Sequence, residues 1–133
     1  MWAMPRVIVN RILGHAQRCA PEECVGILSG HGRTIAGWHP LTNTLHDSQR
    51  FLADPGEQIT LFKQLREQGA ELVAIYHSHP VGSGQPSILD REENHYPNAL
   101  HLIVALGTDG RLELNGFLLI DGRFQPQELS VTD

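Results

Sequence analysis

The sequence predicts a mixed α/β domain of about three helices and about six strands, and three observations carry that prediction. The chain has 133 residues, enough for one core and too few for two. Its hydrophobic fraction of 41% and charged fraction of 19% are those of an ordinary globular protein. Apolar runs of helical and of strand period alternate along it, separated by Gly and Pro signals.

Taken in order, Val7 to Arg18 sets Val7, Ile8, Ile12, Leu13 and Ala16 on one stripe, which predicts an amphipathic helix broken by Pro21. Glu23 to Ser29 reads as a strand, Gly30-His31-Gly32 as a tight turn, and Thr34 to Pro40 as a strand pairing back. Leu41 to Leu52 is less regular. Asp54 then offers an N-cap, Pro55 the first helical position, and Glu57 follows three residues after the cap. The helix opened there carries Ile59, Leu61, Phe62 and Leu65 and stops at Gly69. Glu71 to Ser78 is apolar until its last residues, the pattern of a central strand delivering a site at its carboxyl end. A glycine-rich loop over Val81 to Gln85 leads to a short helix over Ser87 to His95, closed by Pro97. Leu100 to Leu106 and Leu112 to Ile120 read as strands joined through Gly107-Thr108-Asp109-Gly110, and Asp121-Gly122 turns into a last strand near Phe124.

A net charge of −5 with both signs interspersed argues against nucleic-acid and anionic-membrane partners, which favour a basic patch. No apolar run approaches the roughly 20 residues of a bilayer span. The stretch Met1 to Arg6 lacks the build of a signal peptide, so the cytoplasm is the expected compartment. Cys19 and Cys24 then read as two buried thiols rather than an unusual bridge.

The chemistry concentrates in His77-Ser78-His79-Pro80 and in Ser87-Ile88-Leu89-Asp90. Residues two apart on a strand share a face, about 6.6 Å apart along the chain, so two imidazoles can converge on one ion. Pro80 ends the strand, Gly82 and Gly84 let the chain reverse, and Asp90 arrives one turn into the next helix. Two neutral nitrogens and a carboxylate suit zinc and leave the fourth position for water, which separates a catalytic from a structural site. The plainer reading is a polar strand end followed by a capping box, Ser87 as N-cap and Asp90 as its partner. An Asp90 committed to capping would not be free to bind metal. The combination of strand-end histidines, reversing loop and arriving carboxylate favours the ligand reading. A cupin-like site would need a Glu about four residues beyond His79, where Gly82, Ser83 and Gly84 stand. An amidohydrolase barrel needs about 250 residues.

The run His77-Ser78-His79-Pro80, followed by Ser87-x-x-Asp90 with seven residues between His79 and Ser87, resembles the signature of the JAMM (MPN+, JAB) metalloproteases. The segment Pro21 to Gly30 is similar to the family's first strand with its acidic residue. Asn43-Thr44 and Phe51-x-x-Asp54-Pro55 resemble the stretch before the second helix of short bacterial members. The resemblance implies one domain over residues 1–133, with a cytidine deaminase-like, mostly antiparallel sheet flanked by about three helices. It implies one Zn2+ per chain held by His77, His79 and Asp90, with Glu23 as general base and Ser87 donating to the oxyanion. Aligning the apolar run on Gly26 to Gly30 selects Glu23 over Glu22, which is expected to be a solvated charge. The implied substrate is the C-terminal tail of a ubiquitin-like sulfur carrier, trimmed or relieved of cysteine. The competing readings are a peptidase of phage-tail or cell-wall substrates and a non-catalytic interaction module stabilised by metal. His95 and His101 fit no motif and read as a surface and a strand histidine.

Overall fold

The computed structural model describes residues 1–92, 96–108 and 111–133. The two most apolar runs become neighbouring strands because each can be buried on both faces only in the middle of a sheet. In chain order the elements are β1 (Trp2–Pro5), α1 (Arg6–Cys19), β2 (Val25–His31), β3 (Thr34–Leu41), α2 (Pro55–Gln68), β4 (Glu71–His79), α3 (Ile88–Glu92), β5 (Leu100–Thr108), β6 (Arg111–Ile120), β7 (Arg123–Gln127) and β8 (Leu129–Thr132). They form one eight-stranded sheet in the order β7-β6-β5-β4-β2-β3-β1-β8. The pairs β2/β3, β2/β4, β5/β6 and β6/β7 are antiparallel, whereas β4/β5, β1/β3 and β1/β8 are parallel. The sheet is thus mixed and mostly antiparallel, as expected.

Strand periodicity then divides the side chains between two cores. On one face Ala74, Tyr76, Leu100, Leu102 and Val104 pack with Ile8, Ile12 and Ala16 of α1. On the other Val25, Ile27 and Ile75 pack with Leu61 and Leu65 of α2. Burying such an aliphatic side chain contributes about 1.5–3 kcal/mol, so α1 and α2 are each anchored by a few residues. Asp54 caps α2 as anticipated, accepting the Glu57 N–H at 3.0 Å, and Gly69 closes it with φ 68°. The Glu57 carboxylate does not return to the cap. It accepts the Thr42 backbone N–H at 2.6 Å and the Thr42 hydroxyl at 2.9 Å, tying the helix start to the end of β3.

Several expectations need adjustment. The buried stripe of α1 is rotated toward Val9, which packs on the core, while Val7 is exposed. A stripe of period 3.6 tolerates either flank, and the sheet decides which one it covers. Ile59 likewise faces solvent. The strands number eight because β1 and β8 were not anticipated; each has four residues and they pair with one another, across nearly the whole chain length. Such strands draw their stability from a remote partner, which local periodicity does not report. The outer part of the expected helix through His95, and the turn residues Asp109 and Gly110, lie outside the described residues.

Candidate active site

β4 lies between β2 and β5 and carries His77 and His79 on its α2 face, 2% and 8% exposed. Ser78, between them, points the other way, and its hydroxyl accepts the Cys24 backbone N–H at 2.7 Å. The two Nε2 atoms stand 3.3 Å apart. After Pro80 the chain reverses through Gly82, whose φ of 101° favours glycine. It then enters α3, where Asp90 meets both rings: Oδ1 lies 3.1 Å from His77 Nε2 and Oδ2 3.0 Å from His79 Nε2. The ligand atoms of the three residues all lie within 4.8 Å of one another, so the group could hold a metal ion.

The expectation that capping would withdraw Asp90 from the metal group is corrected here. Asp90 Oδ2 accepts the Ser87 N–H at 2.8 Å, and the Asp90 N–H donates to Ser87 Oγ at 3.0 Å, a complete capping box. A carboxylate offers about four lone-pair sites, so the same group caps α3 and faces both histidines. The cap is what aims the carboxylate.

His79 Nδ1 lies 2.9 Å from the Ser83 carbonyl oxygen, which can only accept, so the network assigns a proton to Nδ1. His79 Nε2 then turns either a second proton or a lone pair toward Asp90. A lone pair 3.0 Å from a carboxylate oxygen calls for a cation between them. With no ion between them, the second proton is the favoured alternative. Burial would lower the His79 pKa, but its hydrogen bonds to Asp90 and Ser83 outweigh burial and raise it. Burial would raise that of Asp90, but the hydrogen bonds from His77 and His79 hold it well below the usual carboxylate range.

Glu23 stands just ahead of β2 and is 2% exposed. It borders a cleft of about 200 Å³ together with Ser48, Gln49, His79, Val81 and Ser87. Glu22 instead faces solvent, 3.2 Å from His46 Nδ1. All five anticipated site residues therefore gather at one end of the sheet. A larger cavity of about 690 Å³ lies between β3 and the first half of α2 and contains none of them; we place the chemistry where the ionisable groups converge.

Two contributors carried no role in the sequence reading. The Phe51 ring stacks on His77 at 4.6 Å between centroids, backing the imidazole on its apolar side. Asn43 donates to the Glu23 and Arg50 carbonyls at 3.1 and 3.0 Å and accepts the Leu45 and Leu52 N–H groups at 3.1 Å each. An asparagine in an irregular stretch was the one signal available, since its amide can replace a missing ladder. His101 is 6% exposed and stands 2.8 Å from the Tyr96 carbonyl, apart from the ligand group. His95 lies outside the described residues. Cys19 and Cys24 are both free, and burial pushes the Cys24 thiol up to about 12.

Fold and site together define a JAB/MPN-type domain, a mixed sheet whose middle strand ends in convergent histidines beside a buried glutamate. Residues 5–115 match the prokaryotic homologs of the JAB domain, and the chain belongs to that family. It is 29% identical over 128 residues to the CysO-cysteine peptidase of Mycobacterium tuberculosis, covering 95% of this chain and 88% of that one. It is 37% identical over 122 residues to a probable TtuB-protein conjugate cleaving protease of Thermus thermophilus, covering 90% of this chain and 77% of the relative. The crystal structure of a JAB1/MPN domain protein from Archaeoglobus fulgidus superposes with a TM-score of 0.67 at 22% identity, covering all of both chains, which shows a common fold. Among the described residues no helix is long and apolar enough to cross a membrane.

Proposed function

We propose that the protein is a zinc-dependent peptidase of the JAMM type, acting as one domain over residues 1–133. Its substrate is an amide bond at the C-terminal tail of a ubiquitin-like sulfur carrier in the cytoplasm, which it trims or relieves of cysteine. The observation that carries the metal is the spacing of the ligand atoms. Tetrahedral zinc with bonds of about 2.0–2.1 Å sets its ligands roughly 3.3–3.4 Å apart. The two Nε2 atoms stand 3.3 Å apart, each faces its own oxygen of Asp90 at 3.1 and 3.0 Å, and one ligand atom from each of the three residues lies within 4.8 Å of the others. Two imidazole nitrogens and one carboxylate are also a catalytic donor set, three protein ligands with a position to spare. The substrate class is supported by the two relatives, whose names describe cleavage of CysO-cysteine and of TtuB conjugates.

Zinc bound there supplies Lewis acidity, lowering the pKa of water toward about 7 and polarising a carbonyl. The chain's own residues do the rest. Glu23 takes a proton from the attacking water at its carboxylate and returns it to the leaving nitrogen, a role supported by its burial at the cleft wall. Ser87 Oγ already accepts the Asp90 N–H, so its own proton remains to donate to the oxyanion. A donor in that role contributes about 3 kcal/mol. His77 and His79, with Asp90 behind them, hold the electrophilic side of the cleft.

The test uses a Gly-Gly-ending sulfur carrier extended by one cysteine, incubated with zinc-loaded protein and followed by intact mass. Release of cysteine, abolished by chelation and restored by zinc, is the expected result. A folded, zinc-loaded protein that leaves this carrier and a carrier–lysine isopeptide uncut overturns the substrate. Folding that collapses on chelation, with no hydrolysis before it, replaces the enzyme with a metal-stabilised module.

A further inference from the structure

The ligand histidines have partners two strands away. Across the sheet, His77 pairs in register with Ile103 and Ile103 with Asn115; His79 pairs with Ala105 and Ala105 with Glu113. Asn115 and Glu113 of β6 therefore project from the same face as the ligands, about 10 Å away at the usual strand spacing. The loop after Pro80 spans that gap. At the end of β5, a Cβ on Gly107 would lie 2.8 Å from Gly82 N and 2.9 Å from Val81 Cα, so the loop's backbone rests directly on the strand. On β6, the Asn115 amide donates to the Gly84 carbonyl at 3.0 Å, and the Gly84 N–H donates to Glu113 Oε2 at 3.3 Å. Gly84 is buried in this seat, and the residue before it, Ser83, offers the carbonyl that accepts His79 Nδ1–H.

We propose that Asn115 is a positioning residue for the metal site: it pins Gly84, and through it the Ser83 carbonyl that sets the His79 tautomer and ring orientation. The idea rests on the reading of His79 as a ligand. Its physical basis is that a ligating imidazole needs its second nitrogen held by a fixed acceptor, and partners of this kind change metal affinity 10–100-fold. A loop carbonyl is a fixed acceptor only if the loop is fixed. Here four loop residues, Val81, Gly82, Ser83 and Gln85, are exposed, and Gly84 is the buried one that hydrogen-bonds to β6. Glu113 assists from the other side of the same residue, accepting the N–H of the Ser83–Gly84 peptide through a weaker 3.3 Å contact.

Asn115→Asp is nearly isosteric and removes the donor. Gly84→Ala attacks the same bond from the loop, since its Cβ would come within 2.6 Å of Asn115 Nδ2. The readouts are the His79 Nδ1–H resonance in nitrogen-15 NMR of the metal-free protein, and zinc affinity by chelator competition. We expect both variants to lose the resonance and to bind zinc 10–100-fold more weakly, with Glu113→Gln, which keeps the acceptor, close to wild type. Leu118→Ala on β6, which packs on the opposite core, serves as the control for lost stability alone; it should lower the melting temperature with zinc affinity unchanged. Asn115→Asp and Gly84→Ala that keep the His79 resonance and wild-type zinc affinity overturn the proposal. If wild type binds no zinc but the resonance still disappears in both variants, the positioning stands and the metal reading falls.

Discussion

Asn43 is where a single side chain should matter most outside the ligand group. It is 7% exposed and makes four hydrogen bonds to four backbone groups, those of Glu23, Arg50, Leu45 and Leu52. Asn43→Ala removes all four and strands two N–H groups and two carbonyls. At a net 0.5–1.5 kcal/mol per bond the loss spans about 2–6 kcal/mol, and because the 44–52 loop borders solvent we expect about 3 kcal/mol. Asn43→Asp should cost as much at pH 7 for a different reason. It keeps both acceptor bonds, but turns a carboxylate oxygen toward the Glu23 and Arg50 carbonyls, which are 3.1 and 3.0 Å from the amide nitrogen it replaces. Its folded pKa would lie above its unfolded value of about 3.9, so the penalty is full near neutrality, shrinks as the pH falls through the raised folded value, and is gone below about 3.9. Urea denaturation at pH 7 and pH 4 separates the two variants: the deficit of Asn43→Ala is unchanged, that of Asn43→Asp narrows. Turnover should fall in both, because the Glu23 backbone loses its partner. A loss under 1 kcal/mol in Asn43→Ala, with turnover intact, would refute this account of the loop.

Glu23→Gln should lower kcat 10²–10⁴-fold while zinc affinity by chelator competition stays within a few-fold, since the carboxylate acts on protons and not as a ligand. In the metal-free protein, the raised His79 pKa contributes stability that is complete below about 6.5 and lost as the pH rises through its folded value. The depressed Asp90 pKa contributes stability present above about 3.8 and lost only as the pH falls through its much lower folded value. Melting temperatures of the stripped protein should therefore peak between about pH 4 and 6.5 relative to an Asp90→Asn variant, and added zinc should move the optimum upward by competing with the proton; a stripped protein whose advantage over Asp90→Asn grows above pH 8 would contradict it. With its thiol pushed up to about 12 and buried, Cys24 should resist maleimide at pH 8 in the native state. Mass spectrometry should count at most one modified cysteine, Cys19, until denaturant exposes the second.

Much of the site was legible because its residues sit close together in sequence and obey local geometry. His77 and His79 share a face by strand alternation, and Ser87 and Asp90 meet by the capping rule, so the convergence of the three ligand groups followed from a stretch of fourteen residues. What was misjudged there was exclusivity: a carboxylate has room to cap a helix and face two imidazoles at once. The α2 start at Asp54 and its stop at Gly69 were likewise local. Val7 and Ile59 were misplaced because periodicity defines a stripe, whereas the neighbouring sheet decides which edge of it is covered.

The sequence by itself determined the convergent histidines and carboxylate, the mixed α/β alternation and the order of most elements. Each depends on interactions within one turn or one strand. The tertiary structure alone decided that β1 and β8 exist, since they pair with each other across the length of the chain. It alone brought Glu23 beside residues more than fifty positions downstream, set Phe51 against His77, and seated the loop after Pro80 on Asn115. Those contacts join segments with no shared period. Their partners are selected only when the sheet order β6-β5-β4-β2 lines the strands up.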